Sequence, residues 1–129
     1  MTSRAADWFE QALRDLEQAE SSRRDERHEW ACFAAQQAAE KAAKAAHLAL
    51  AQDAWGHVVA RLLTELPVEV PGDLIDKAKV LDGFYIPTRY ANSHAEGPPF
   101  EHFGALQSDE ATRYAREIIE FARPYVAGA

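Results

Sequence analysis

The sequence predicts an all-α fold of about five helices, with one long loop before the last helix. Three observations carry this. Twenty-six of the 129 residues are Ala, the best helix former and a poor strand former, while Val, Ile and Thr are few. Apolar residues recur at three- and four-residue spacing along most of the chain. Pro and Gly concentrate between those stretches, where they punctuate rather than interrupt.

The first helix is expected over about Ser3 to Ser21. Trp8, Phe9, Ala12, Leu13, Leu16 and Ala19 give it one apolar face, Thr2 or Ser3 supplies an N-cap hydroxyl, and Glu10 and Arg14 make a favourable i,i+4 pair. Ser21 to Asp25 reads as a break, with Asp25 capping the next helix. The second helix, about Glu26 to Ala51, has the clearest pattern. Trp30, Ala34, Ala38, Ala45 and Leu48 fall on one side, with Ala31, Ala42 and Ala49 beside them. Glu29, Gln36, Gln37, Glu40, Lys44 and His47 gather on another arc, expected to be solvated. Phe33 lies inside that arc and implies that the long loop or a partner chain covers part of it. The many alanines let a neighbouring helix approach closely, which suits a bundle centre or a subunit interface.

Asp53 to Gly56 connects to a short third helix, His57 to about Leu66, with Val58, Val59, Leu62 and Leu63 inward. Pro67 and Pro71 bracket an extended Val68-Glu69-Val70. A fourth helix follows over Gly72 to Asp82, with Leu74, Ile75, Ala78 and Leu81 inward and Gly83 as its C′ residue. Phe84 to Gln107, 24 residues with Pro87, Gly97, Pro98, Pro99 and Gly104, shows no sustained period. Connections this long are uncommon in compact domains and often functional. It carries Phe84, Tyr85, Ile86, Tyr90, Phe100 and Phe103, so it is expected to pack on the helices, with a helical turn allowed within it. The fifth helix covers about Ser108 to Arg123. Ser108 caps it, Asp109 and Glu110 occupy its first turn, Ala111, Tyr114, Ala115, Ile118 and Ala122 face inward, and Pro124 stops it.

Composition narrows the function class. A 47% hydrophobic and 27% charged chain of this length is one globular domain, residues 1–129, and excludes a disordered chain. The single cysteine, Cys32, excludes an internal disulfide framework and a Cys-rich zinc module. No apolar run approaches the roughly 20 residues that span a bilayer, so no membrane role is expected. Met1 to Asp7 lacks the apolar stretch of a signal peptide, and a cytoplasmic location follows as the expectation. The formal net charge is −7, so bulk electrostatics does not draw the protein to phosphate polymers and no DNA binding is expected. Contact with RNA or a nucleotide has to come from a local cationic site.

Arg89-Tyr90-Ala91-Asn92-Ser93-His94 supplies such a site. A guanidinium is a permanent cation with a donor fork matched to phosphate oxygens, and an imidazole exchanges protons near neutral pH. Together they can hold a phosphodiester and move protons around it without metal or cofactor. The bland alternative is a solvated loop Arg, with His94 bonded to a nearby carbonyl. Tyr90, Asn92 and Lys44 join Arg89 as candidate nucleotide- or RNA-binding residues. His94, Glu96, Glu101 and His102 lie close in sequence but lack metal-ligand spacing, so no metal is assigned. Cys32, with His28 one turn before it, reads as an inert core thiol. Ser93 beside His94 lacks the third group of a triad. Arg23, Arg24, Arg27 and His28 form a basic cluster that reads as a solvated helix junction.

Trp30-Ala31-Cys32-Phe33-Ala34-Ala35-Gln36-Gln37-Ala38-Ala39-Glu40-Lys41-Ala42-Ala43-Lys44-Ala45, then Trp55-Gly56-His57, then Phe84-Tyr85-Ile86-Pro87-Thr88-Arg89-Tyr90, resemble the HEPN family (higher eukaryotes and prokaryotes nucleotide-binding domain) over nearly the whole chain. The resemblance implies a small α-helical bundle, a homodimer, and frequent pairing with a minimal nucleotidyltransferase as toxin with antitoxin. The family hallmark is Arg, four to six residues, then His; Arg89 and His94 match it with four between. Nuclease members cut RNA without metal, through attack of the 2′-hydroxyl on the adjacent phosphate, and gather the Arg and His of both subunits in one cleft. Two copies of His94 then supply base and acid, and two copies of Arg89 offset charge building on phosphorus. The sequence departs from the nuclease pattern at Tyr90, where those members carry Asn, Asp or His. It also has Glu96 where some members carry a Tyr that the transferase modifies.

The combined expectation is an antiparallel up-and-down bundle that pairs through its second helix and long loop. It acts as a metal-independent toxin-type endoribonuclease with Arg89 as phosphate clamp and His94 as acid/base. The alternatives are a non-catalytic nucleotide-binding subunit of a nucleotidyltransferase, and a structural dimer with an inactive cleft.

Overall fold

A computed structural model describes residues 3–129. Five α-helices follow one another: α1 Ala5–Arg24, α2 His28–Ala49, α3 Val59–Thr64, α4 Gly72–Asp82 and α5 Ala105–Ala127. Two short 3-10 turns, Ala91–Ser93 and Pro99–His102, sit in the loop before α5.

Side-chain pairings fix the helix directions. Arg23 at the end of α1 meets Asp109 at the start of α5 at 2.8 Å, and Arg123 near the end of α5 lies over the Phe9 ring of α1. Arg116 and Glu20 pair between them. The tight turn at 25–27 reverses the chain into α2, and Lys77 of α4 reaches Glu117 of α5 at 2.8 Å. Pro71 and Leu74, at the start of α4, border Phe121 near the end of α5. The long helices α1, α2, α4 and α5 therefore run up, down, up, down, the bundle expected from sequence.

The centre of the bundle is α2, packed by α1 and α5 along most of its length. Ala31, Ala35, Ala38, Ala39, Ala42, Ala43, Ala45 and Ala46 are wholly buried. Methyl-sized side chains on several faces let both neighbours approach closely. Thirteen of its 22 residues are buried, which makes it a helix buried nearly all round rather than an amphipathic one. The expected solvated arc is thereby corrected: Gln36, Glu40 and His47 are buried. The His47 Nε2–H donates to the Leu62 carbonyl at 2.6 Å, and Gln36 Nε2 donates to the His57 carbonyl at 3.3 Å. Trp30, expected on the apolar side, is 51% exposed.

Helix ends depart from expectation for local reasons. Thr2 lies outside the described residues; Ser3 Oγ accepts the Ala5 N–H at 3.0 Å while Arg4 occupies the cap position. Arg14 pairs with Glu17 at 3.3 Å instead of Glu10. Asp25 ends α1 rather than starting α2, and Glu26 takes a left-handed turn at φ 60°. The basic cluster beyond it is partly tied down, since Arg23 holds Asp109 and His28 Nδ1 lies 2.8 Å from Ser108 Oγ.

Helix α3 starts at Val59 because the Asp82 carboxylate accepts the N–H groups of Val59 and Ala60, at 2.6 and 3.1 Å. Val58 is thereby left half exposed, not inward. Gly83 ends α4 with φ −66°, so no left-handed C′ residue is needed there. Ser108 is a buried residue inside α5, not its cap; Gly104 caps, and its N–H donates to Gln107 Oε1 at 2.7 Å. Pro124 does not stop α5, which continues to Ala127. A proline this near an exposed end removes one hydrogen bond, while its fixed φ still suits the helix.

Phe84 and Phe103 of the long loop pack on the core, but Ile86, Tyr90 and Phe100 are 45%, 48% and 61% exposed. The loop thus packs on the bundle as expected, through part of its aromatic set. No helix is long and apolar enough to cross a membrane, among the described residues.

Candidate functional site

The turn that follows α4 folds Arg89 back on itself. Arg89 Nε and Nη2 both donate to the Tyr85 carbonyl, at 2.9 and 2.7 Å. Thr88 Oγ1 donates to the Phe84 carbonyl at 2.7 Å and is buried, which secures the same turn. The guanidinium carbon then lies 4.3 Å from the Phe33 ring centroid, 4.9 Å from Tyr85 and 5.0 Å from Tyr90. Cations are attracted to such ring faces by the ring quadrupole. With two N–H groups on Tyr85, the three remaining guanidinium N–H groups have no partner among the described residues.

Arg89 is half-buried, yet it has no carboxylate within ion-pair distance among the described residues. Acids outnumber bases 21 to 14 in this chain, and other half-buried cations are paired: Lys41 with Asp15 at 2.5 Å, Lys44 with Glu40 at 3.1 Å, Lys77 with Glu117 at 2.8 Å. A desolvated cation without a counter-charge is costly unless an anion can reach it.

His94 leaves the 3-10 turn Ala91–Ser93 in extended conformation. Its Nε2–H donates to the Pro87 carbonyl at 2.7 Å, two residues beyond the carbonyl that holds Arg89. The two side chains thus anchor on one turn. Ser93 is exposed and forms no dyad with His94. Asn92 is exposed on the same turn, and Tyr90 presents a half-exposed ring beside Arg89. Lys44 is placed differently. Its ammonium is engaged by Glu40, its side chain is 12% exposed, and it lies over the Trp8 ring at 5.5 Å.

Several contributors escaped the sequence reading. The carboxylate of Glu40 is buried but satisfied, accepting from Lys44, from Gln36 Nε2 at 3.2 Å and from the His57 Nδ1–H at 3.1 and 3.2 Å. His57 stacks on Tyr85 with centroids 4.8 Å apart, and Tyr85 in turn backs Arg89. A continuous chain of contacts therefore runs from the middle of α2 through His57 and Tyr85 to the guanidinium. The polar spacing Gln36, Glu40, Lys44 and the misplaced Phe33 were the available signals. Phe33 also forms one wall of a groove of about 460 Å³ between α1 and α2, which Trp30, Gln37 and Lys41 line further along.

No three His, Cys, Asp or Glu side chains converge as a metal-ligand set among the described residues. His94 instead stacks on His102, and the His102 Nε2–H donates to the Glu96 carbonyl at 2.7 Å. Cys32 is wholly buried, and burial first, then the Glu29 charge, pushes its thiol up to about 12. His28 binds Ser108 rather than the thiol. Desolvation pushes the Asp82 carboxyl above the usual range, partly offset by its two backbone hydrogen bonds.

Comparison with known proteins places the chain in a family. Among curated proteins none matches the chain. Its fold is similar to the crystal structure of TT1696 from Thermus thermophilus, with TM-score 0.94 and 48% identity over 96% of this chain and 99% of that one. ST0689, an archaeal HEPN homologue, gives TM-score 0.83 and 34% identity over 97% and 99%. A HEPN domain protein from Thermotoga maritima gives 0.76 and 32% over 94% and 98%. The HEPN domain family matches residues 5–125. With that match over nearly its full length, the chain belongs to the HEPN domain family.

Proposed function

We propose that this HEPN domain is a metal-independent endoribonuclease, in which Arg89 binds the scissile phosphate and His94 moves the protons. The observation that carries the reading is the half-buried Arg89, held by rings and one carbonyl and lacking any carboxylate partner among the described residues of an acidic chain. An RNA phosphate is the counter-charge such a group lacks, and its three remaining N–H groups match the phosphate oxygens. His94 has its Nε2–H on Pro87, which leaves Nδ1 to take the proton of a 2′-hydroxyl or to return one to the leaving oxygen. Attack of the 2′-oxygen on phosphorus breaks the bond to the 5′-oxygen and leaves a 2′,3′-cyclic phosphate. One imidazole serves only one of these roles at a time. The reading therefore includes a homodimer whose two His94 and two Arg89 share one cleft, in a toxin–antitoxin pair with a minimal nucleotidyltransferase.

A second reading is favoured by Tyr90. Its half-exposed ring beside Arg89 is a stacking surface next to a phosphate clamp, the minimum for nucleotide binding without cleavage. The test is RNA cleavage in EDTA beside ATP binding. The nuclease reading expects cleavage that His94→Ala abolishes while dimer and fold persist. Saturable ATP binding weakened by Arg89→Ala, with no cleavage, selects the binding subunit.

A further inference from the structure

We infer that His102 is a positioning residue for His94, holding that imidazole in the orientation in which Nε2 meets the Pro87 carbonyl and Nδ1 is left as the working nitrogen. This rests on the nuclease reading for its kinetic consequence, but not for its geometry.

The two imidazoles are face to face, with centroids 4.1 Å apart and planes 5° from parallel. Each is tied at Nε2 to a different main-chain carbonyl, His94 to Pro87 and His102 to Glu96, both at 2.7 Å. A carbonyl only accepts, so each Nε2 carries a hydrogen, and in the neutral ring each Nδ1 carries the lone pair. Neither Nδ1 has a protein partner among the described residues.

One hydrogen bond leaves an imidazole free to rock about its acceptor. His94 has two further constraints. The His102 face blocks one side, and Phe103 meets the ring edge-on at 5.9 Å and 81°. Phe103 is fixed in turn by Phe84 at 5.9 Å and 72°, which joins the pair to the core. His102 is placed by the Gly97 turn, where φ is +79°. A Cβ at Gly97 would lie 2.7 Å from Glu101 Oε2 and 3.4 Å from His102 Nε2. His102 itself is exposed, so its place against His94 rests on the stack, the Glu96 carbonyl and the left-handed turn at Gly97. The charged and titratable groups around it are Glu96 and Glu101 in the loop. From the start of α2, Glu26, Arg27, His28 and Glu29 border Phe100 and Phe103.

Three variants separate orientation from chemistry. His102→Phe keeps a ring to stack and loses the titratable group. His102→Gln keeps a hydrogen-bonding end and loses the ring. His102→Ala loses both. Side-chain NMR of the His94 ring nitrogens, in the full chain without RNA, is expected to show one Nε2–H tautomer in wild type and in His102→Phe. The Ala and Gln variants are expected to show averaging between tautomers. In RNA cleavage, kcat is expected to fall about 10- to 100-fold in Ala and Gln with KM little changed, and to recover in His102→Phe. A single His94 tautomer in His102→Ala overturns the inference. So does a kcat as low in His102→Phe as in His102→Ala, which makes the second imidazole an acid or base itself. If no variant, wild type included, cleaves RNA, the nuclease reading fails and the NMR result alone decides the positioning role.

Discussion

The Arg89 guanidinium carbon lies 4.3 Å from the centroid of the Phe33 ring. This contact joins the central helix of the bundle to the turn on which Arg89 and His94 anchor. Phe33 stands on α2, flanked by wholly buried Cys32 and Ala35, and so has little freedom to shift. Tyr85 backs both residues, at 6.3 Å from Phe33 and 4.9 Å from the guanidinium. The cation is thus placed by a ring of α2 together with the Tyr85 carbonyl of its own turn.

Phe33→Ala is expected to weaken phosphate or RNA binding as strongly as it weakens the fold. Removing a half-buried ring costs about 1–3 kcal/mol, below the range for a fully buried one. Urea unfolding measures the stability loss, and RNA or ATP titration the binding loss. Phe33→Leu is expected to recover stability more fully than binding, because an aliphatic side chain fills space without offering a π face.

Gly97→Ala is expected to destabilise the loop by about 1–2 kcal/mol through its positive φ, since the exposed Glu101 side chain can turn away from the added Cβ. Hydrogen exchange of residues 96–103 is expected to rise in this variant while α2 amides stay protected. Unchanged exchange across the loop would contradict the role of the left-handed turn in placing His102.

Asp82 tests the link between α4 and α3. Asp82→Ala is expected to cost about 0.5–2 kcal/mol at neutral pH, because two N–H groups at the start of α3 lose their acceptor. Burial raises this carboxyl above its ordinary 3.8, so the neutral form is favoured in the folded state. Its contribution to stability is full below 3.8 and is lost as pH rises through the folded value. The stability of wild type relative to Asp82→Ala is therefore expected to grow as pH falls toward 3.8, measured by urea unfolding across that window.

Cys32 is expected to be inert to thiol reagents in the folded protein, reacting only as the chain unfolds. Its thiol is raised from 9.0 to about 12, so the folded state is favoured while the thiol stays protonated. Stability is expected to decline as pH rises from 9 toward 12, by up to about 1.4 kcal/mol per pH unit. A Cys32→Ala variant is expected to lack this part of the alkaline slope, which thermal unfolding at about pH 8 and pH 10 reads.

Much of this was legible in the sequence where the signal is local. The alanine spacing of α2 marks a helix that neighbours can approach closely, and the Arg89–His94 spacing marks the pair. What periodicity does not carry is the partner of a polar side chain far along the chain. Gln36, Glu40 and His47 fall on a polar arc and read as solvated; they are buried because His57 and Leu62 supply acceptors and donors from across the bundle. Ser108 followed by two acids reads as a cap, but Gln107 captures the Gly104 N–H one turn earlier. The His94–His102 stack was invisible for the same reason, since its geometry depends on two carbonyls and a left-handed glycine. The pairing of Lys44 with Glu40, four residues earlier on α2, is likewise not marked by periodicity as buried rather than solvated.

The central claim is that Arg89 and His94 act on one phosphodiester. The most direct measurement is mass spectrometry of the 3′ ends released from a single-stranded RNA incubated with wild type, Arg89→Ala and His94→Ala in EDTA. The account predicts 2′,3′-cyclic phosphate ends from wild type and none from His94→Ala, with Arg89→Ala reduced at least about 100-fold. Cyclic-phosphate ends produced equally by His94→Ala and wild type would contradict it.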